Sequence, residues 1–458
     1  MILLSDLEGL TRKLIAKRKS IEEVKNRLIN EILTYKDNLS KKSAECLANA
    51  IIEEVKDSNI IPESNILRPV LNYPKSGVSM GLMGVGSRGE GDFFIHKKLA
   101  EIAGKPSDRR VLLHPIYHDD AGAIEVNGRV LVAAVDGMHS RLSDFPFLAG
   151  FHASRATLRD IYVKGARPIG MLIDLHLADD GDVGKLFDFE AGVSAVSMLT
   201  EIPILTGSTL RIGGDMVIGD RMTGCVGAFG IAEDSSMLAA RHKVKPGNII
   251  LMTEGAGGGT ICTSAIYSGR HDVVLETLNV QFVKACKALL NSGLIGKICA
   301  MTDVTNGGIR GDANEISKLS NTALYFYEKE IKSLVNPKVL DLLESKGIDY
   351  LGVSLDALMI FVPEDYVEDI MAEVRKARVK IEEIGFVEKG TPKVTLMTSE
   401  GEKDLNLKFR ESAYTRIKKV VGEDAPYDLE ELKIKVEKSV KKAIEKRDFI
   451  VKYIRSMD

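Results

Sequence analysis

Apolar positions in the first sixty residues recur every three or four places. Leu7, Leu10 and Leu14 are followed by Ile21, Val24, Leu28 and Ile32, with Lys, Arg and Glu between them. That period predicts amphipathic helices. Pro62, Pro69 and Pro74 then interrupt the pattern. From about 77 to 235 strand-length apolar runs alternate with helical stretches. Glycine-rich GLMGVGSRGEGD (81–92) leads into FFIHKKLAEIAG, a helix ending near Gly104. Helices are expected around 147–165 and 186–200, and strands at IGMLIDLHL (169–177), IPILTGSTL (202–210) and MTGCVGAFGIA (222–232). Residues 236–247 read as a linker closing on Pro246-Gly247. A second α/β succession opens with NIILMTEGAGGGTICTSAI (248–266) and holds ICAMTDVTNGG (298–308) and ALMIFVP (357–363). Beyond 405 the chain is rich in Lys and Glu, with Leu429, Leu432, Val436 and Val440 at helical spacing. The expected organisation is a helical extension (1–76), two α/β units (77–235 and 236–396) and a second helical extension (397–458).

One stretch combines this pattern with chemistry. In YHDDAGAIEVNGRVLVAAVDGMHS (117–140), Asn127-Gly128 is the signature of a two-residue type I′ hairpin turn. The register it sets pairs Val126 with Arg129, Ile124 with Leu131 and Gly122 with Ala133. Continued, it places Asp119 across from Asp136. Directly opposed like charges destabilise a sheet, yet their Cβ atoms, about 4.5–5.5 Å apart, could share a divalent cation. The same acids also read as ordinary strand-end turn residues, and the hairpin alone leaves both readings open. Strict alternation would send Asp120 to the opposite face.

Composition narrows the class. The 458 residues are 45% hydrophobic and 28% charged, as in a globular protein with a large core, and the net charge of −3 gives no basic surplus for nucleic acid or an anionic membrane. No apolar run approaches the roughly 20 residues of a membrane span, and no signal-peptide pattern is visible. Five scattered cysteines (46, 225, 262, 286, 299) form no CxxC or Cys/His spacing. They argue for a reducing cytoplasm and against a zinc site or disulfide framework.

Five acids fall at element ends: Asp119, Asp120, Asp136, Asp160 and Asp303. Hard cations such as Mg²⁺ take oxygen ligands, a few carboxylates plus substrate phosphates. EGAGGGTICTS (254–264) joins a strand to a helix, so Gly257 and Gly258 could let the backbone approach a phosphate. A dinucleotide fingerprint is not met, because Thr260 stands where its third glycine belongs, and no GxxxxGK[ST] stretch exists. His118, His139 and His176, and the cations Arg88, Lys97, Lys98 and Arg211, lie near these elements without an assignable role.

In order and spacing these stretches resemble the aminoimidazole ribonucleotide synthetase-like (PurM-like) superfamily, closest to its selenophosphate synthetase-related branch. HDDAG (118–122) is similar to the family's GDDAA-type start and AVD (134–136) to its TTD strand end. TLRDIYVKGARP (157–168) is similar to its N-x-x-SDI-x-x-MGA-x-P segment, and TDVTNGG (302–308) to its TDVTGFG element. The resemblance implies a two-domain α/β (α+β) fold. Its N-terminal mixed sheet would form a barrel shared by a homodimer, followed by a C-terminal α/β sandwich. It also implies that ATP binds with Mg²⁺ at Asp119, Asp120, Asp136, Asp160 and Asp303. TGST (206–209) corresponds to the family's GGDT, which adds Gly207 and Thr209 to the nucleotide site. Ser208 then replaces an acid, with Asp215 as a nearby substitute. The loop that carries Cys and Lys in selenophosphate synthetases offers Ser87 and Arg88 here, a poor match to selenide chemistry.

The expected function is an ATP- and Mg²⁺-dependent enzyme that phosphorylates or activates a small metabolite. The helical ends are candidates for a protein partner. Ser208 and those ends also motivate a non-catalytic nucleotide-binding regulator or scaffold. A third reading is a carbamoyl-dehydratase-like maturation factor.

Overall fold

Asn127 and Gly128 both adopt positive φ, 51° and 79°, and strands Gly122–Val126 and Arg129–Gly137 pair in the expected register. The pairing stops at Gly122 with Ala133. His118 takes a left-handed conformation, φ 49°, and residues 118–121 leave the sheet. Asp119 therefore does not lie across from Asp136, whose strand neighbour is Val226. Alternation no longer separates Asp119 from Asp120 either, because neither belongs to a strand.

The structure is a computed structural model describing residues 5–60, 62–411, 413–422 and 428–457. The hairpin belongs to a six-stranded mixed sheet in the order Val111–Leu113, Gly122–Val126, Arg129–Gly137, Met222–Ala232, Arg167–Leu177, Ile204–Arg211. Neighbours are antiparallel except the final, parallel pair. Helix Pro146–Tyr162 packs on this sheet and helix Gly184–Thr200 packs on that helix. The two helices touch at glycines. A Cβ on Gly150 would stand 2.2 Å from the Phe189 carbonyl oxygen, and one on Gly192 would stand 2.1 Å from that of Phe147. The other face of the sheet carries Val135, Leu172 and Leu210, all exposed; Gly227 pairs with Val135 on one side and Leu172 on the other.

A second sheet has seven strands, ordered Ala300–Val304, Ala357–Pro363, Asn248–Thr253, Ile381–Glu388, Ala323–Tyr327, Lys393–Thr398, Gly401–Asp404. Helix Pro146–Tyr162 joins the two halves, since it also contacts helices Gly259–Ile266 and Gln281–Ser292 and strand Ala300–Val304. Thirteen of its seventeen residues are buried, the polar His152, Ser154, Arg155, Thr157 and Arg159 among them.

The N-terminal pattern becomes three helices, Leu7–Ala16, Ile21–Tyr35 and Lys41–Ser58, with a core of their own that Ile218 completes. Ser20 and Glu23 form a reciprocal capping box. Lys36 reaches Asp179 and Asp180 and ties this bundle to the first sheet's loops. At the other end, Leu432, Val436 and Val440 of helix Leu429–Arg455 pack on Met83, Phe94, Ile95 and Phe409. Residues 236–247 are no passive spacer, because Arg241 is completely buried. No helix among the described residues is long and apolar enough to cross a membrane.

Candidate functional site

A cavity of about 1200 Å³ is lined from both halves of the chain. Asp119 and Asp120 come from the loop before the hairpin, Asp136 from the end of its second strand, and Asp160 from helix Pro146–Tyr162. Asp303 comes from strand Ala300–Val304. All five acids thus reach one space, although up to 184 positions apart in the chain.

They divide into two groups. Asp119 and Asp120 are already neutralised. The Lys164 ammonium, fully buried, pairs with Asp119 and stands 3.1 Å from Asp120 Oδ2. The Arg241 backbone N–H donates to Asp119 Oδ2 at 3.0 Å and its Nη2 to Asp120 Oδ1 at 2.5 Å. Arg241 also donates to Thr302 Oγ1 (2.7 Å), Asp312 Oδ1 (3.1 Å) and Glu315 Oε2 (2.8 Å). Arg88 closes the network on Asp312 and Glu315, at 2.9 and 3.0 Å. Burial alone would raise the Asp120 pKa, but Arg241, Lys164 and Arg88 hold it down to about 2.

Asp136, Asp160 and Asp303 form the second group. Burial, with Asp303 adding to it against the pull of Arg159, raises Asp136 to about 6. Asp160 is pushed well above the carboxylate range by burial and by Asp303, Asp136 and Asp120. Asp303 is raised by burial and held back by Arg159, whose Nε donates to it at 3.0 Å. Arg159 also bonds Asp356, which Arg155 pairs with from behind. No ion pair reaches Asp136 or Asp160 among the described residues. Seven carboxylates line the cavity with Arg88, Arg159 and Lys418, and Lys164 and Arg241 stand behind its wall, so acids outnumber cations. Buried carboxylates in this position either protonate or take up a cation.

The donor set fits Mg²⁺. It consists of hard oxygens, those of Asp136 and Asp160 without an ion pair among the described residues and those of Asp303 paired with Arg159. Among the described residues no three His, Cys, Asp or Glu side chains are placed to hold a metal ion together, so an ion here would need water or substrate oxygens as further ligands.

The remaining candidates separate. Gly257 (φ 78°) and Gly258 stand behind the cavity wall, Gly258 with its Cβ position 3.5 Å from Arg159 Nη1. Gly259 and Thr260, one step on, line the cavity. Gly207 and Thr209 sit on the exposed edge strand Ile204–Arg211, outside the cavity, as does Ser208. The acid beside Ser208 is Asp174, its cross-strand partner, which approaches His176 at 3.1 Å; Asp215 turns to Arg211 instead. Lys98 pairs with Glu101 and Glu437, and Arg211 with Asp179 and Asp215, so neither faces the acids. His118 lies 3.6 Å from Glu315. His139 packs on Gly259, where a Cβ would come within 2.4 Å of the ring. Burial, Lys418 and Arg159 lower its pKa to about 4, so it is neutral at physiological pH.

Sequence reasoning missed Lys164, Arg241, Glu315, Asp312, Tyr414 and Lys418. Lys164 lies within the TLRDIYVKGARP match, so asking what neutralises the nearby acids would have found it. Arg241 sits in a segment read as a linker, and Tyr414 and Lys418 in one read as a helical extension; no local signal marks them.

Residues 118–232 match the AIR synthase related protein N-terminal domain, and 245–396 match the C-terminal domain of the same family. The chain is 51% identical to Uncharacterized protein MJ1416 of Methanocaldococcus jannaschii, with 98% of each chain covered. It is 26% identical to that organism's selenide, water dikinase over 61% of this chain and 83% of the relative. Among solved structures it superposes on hydrogenase maturation protein HypE in complex with ATP. The TM-score is 0.52 at 20% identity, covering 63% of this chain and 88% of that one.

Proposed function

From a chain that belongs to the AIR synthase related protein family, we propose an ATP- and Mg²⁺-dependent enzyme that phosphorylates a small metabolite or activates it through a phosphorylated intermediate. One observation carries this reading. Asp136, Asp160 and Asp303 converge from three elements on one cavity, each raised in pKa by burial, and Asp136 and Asp160 meet no ion pair among the described residues. A relative named selenide, water dikinase and a HypE structure in complex with ATP support the choice of ligand.

In this proposal Asp136, Asp160 and Asp303 hold the ion, and Asp119 and Asp120, fixed by Lys164 and Arg241, shape the wall beside them. An ion held by these three carboxylates would supply positive charge against that developing on a transferred phosphoryl group. Arg159 fixes Asp303 through its Nε. His139 stays neutral, with Nε2 3.4 Å from Thr260 Oγ1, which itself donates to Asn306 Oδ1. The exposed sheet face with Val135, Leu172 and Leu210 becomes the contact between two copies of the chain. The unit boundaries fall near 77, 236 and 397. Cysteines without disulfides accord with a cytoplasmic location.

Calorimetric titration with Mg²⁺-ATP tests this. Binding by the wild type and its loss in Asp136→Asn are expected; binding that survives the substitution, or is absent from the wild type, refutes it. Phosphorus NMR of ATP incubated with candidate acceptors then identifies the product. Ser208 favours one other reading, a nucleotide-binding scaffold without turnover. Binding without hydrolysis across a broad metabolite panel would select it.

A further inference from the structure

The cavity wall is completed by residues outside the span matched to the family's C-terminal domain. After strand Gly401–Asp404 the chain folds back over the site. Leu405 and Tyr414 enter the second core, and Glu411 pairs with Arg310 at 3.1 Å. The carbonyls of Lys408 and Phe409 accept from the Glu90 and Gly91 N–H groups at 2.9 and 3.2 Å. A Cβ on Gly89 would stand 2.5 Å from the Phe409 carbonyl oxygen, so the two segments lock backbone to backbone. This anchoring fixes Tyr414 edge-on to His139, ring centroids 6.5 Å apart, and sets the Lys418 ammonium 4.1 Å from the centre of the Tyr414 ring.

Lys418 differs from the other cations of the cavity. Arg88 and Arg159 are committed to carboxylates, as are Lys164 and Arg241 behind the wall. Lys418 lines the cavity with no carboxylate partner among the described residues, resting on an aromatic face. The same cavity wall holds the neutral His139, on which the Lys418 charge acts, then Thr260, 3.4 Å from His139 Nε2, and Asn306, to which Thr260 donates at 2.5 Å. Asn306 in turn donates to the Gly86 carbonyl at 3.3 Å, bringing the glycine-rich loop to the same place. In a space dominated by carboxylates, this is the part chemically suited to an anion.

We infer that Lys418, with His139 and Thr260, forms a subsite for an oxyanion, a phosphate- or carboxylate-type group carried by the acceptor substrate rather than by the nucleotide. The C-terminal segment would thereby determine which metabolite enters. The assignment to an acceptor rests on the nucleotide reading above; the anion subsite itself does not.

Inorganic phosphate is the probe, titrated calorimetrically into the full chain alone and with saturating Mg²⁺ and a non-hydrolysable ATP analogue. Wild type binds phosphate in both cases; Lys418→Met weakens this by about tenfold or more, the size of a lost charge-assisted hydrogen bond. Lys418→Arg restores it, and analogue affinity stays unchanged in both variants, which also shows that they fold. Phosphate binding that is absent in the wild type, or equal in Lys418→Met, overturns the subsite. Analogue affinity that falls together with phosphate affinity gives Lys418 to the nucleotide and overturns the acceptor assignment. A wild type that binds phosphate through Lys418 but never binds the analogue supports the subsite while refuting the nucleotide reading.

Discussion

Replacing Asp136 with Asn should stabilise the metal-free protein while removing its Mg²⁺-nucleotide binding. The folded-state pKa of Asp136 is raised from 3.8 to about 6 by burial and by Asp303. At about 1.36 kcal/mol per pKa unit, ionising it in the folded protein costs about 3 kcal/mol. The sign follows from the direction of the shift. The unfolded chain releases this proton near pH 4 and the folded one near pH 6. The cost is therefore absent below about pH 4, grows between the two values and is complete above about pH 6. Asparagine keeps the shape and carries no charge, so it removes the cost. For a cooperative unit of about 150–250 residues this gain corresponds to a Tm higher by about 6–12 °C. Differential scanning calorimetry in EDTA at pH 7.5 and at pH 4 reads it directly. The variant should melt higher than wild type at pH 7.5 and equally at pH 4. Added Mg²⁺ and nucleotide should raise the wild-type Tm and leave the variant unmoved. An Asp136→Asn protein that is no more stable at pH 7.5, or whose gain persists at pH 4, would refute the argument that these carboxylates are short of a cation.

Three further expectations test other parts. Lys164→Met leaves Asp119 and Asp120 with one cation fewer in a fully buried place; a loss of about 3–5 kcal/mol is expected in chemical denaturation, and a change under about 1 kcal/mol would show the pair to be hydrated. Gly150→Ala sets a methyl 2.2 Å from the Phe189 carbonyl oxygen; the helices must move apart, and a destabilisation of about 1–3 kcal/mol should appear as a lower Tm. Val135→Glu puts a charge on the exposed apolar sheet face; sedimentation should change from dimer to monomer with the monomer's Tm unaltered, and a wild type already monomeric at micromolar concentration would dismiss that interface.

The sequence by itself determined what is local or repeated. The helical extensions were legible in the spacing of Val24, Leu28 and Ile32. The hairpin register was legible because Asn127-Gly128 favours a single turn geometry and each strand alternates from it. The five acids could be collected because each closes a recognisable motif, and their order along the chain pointed to the family. Their division was not legible. Whether a carboxylate is spent or available depends on which cations arrive from elsewhere, and Lys164 and Arg241 are 44 and 121 residues from Asp120. The left-handed turn at His118 is a similar case: nothing in the tetrapeptide fixes it, and it moves Asp119 off the strand and into that pairing. Gly207 and Thr209 share a motif with the site yet lie on an open sheet edge. The segment that delivers Tyr414 and Lys418 reads as part of a helical extension outside the two α/β units until Glu411 meets Arg310. Charge balance in a buried site is a sum over groups distant in sequence. Tertiary structure therefore decided it, and with it which acids remain free to hold a cation.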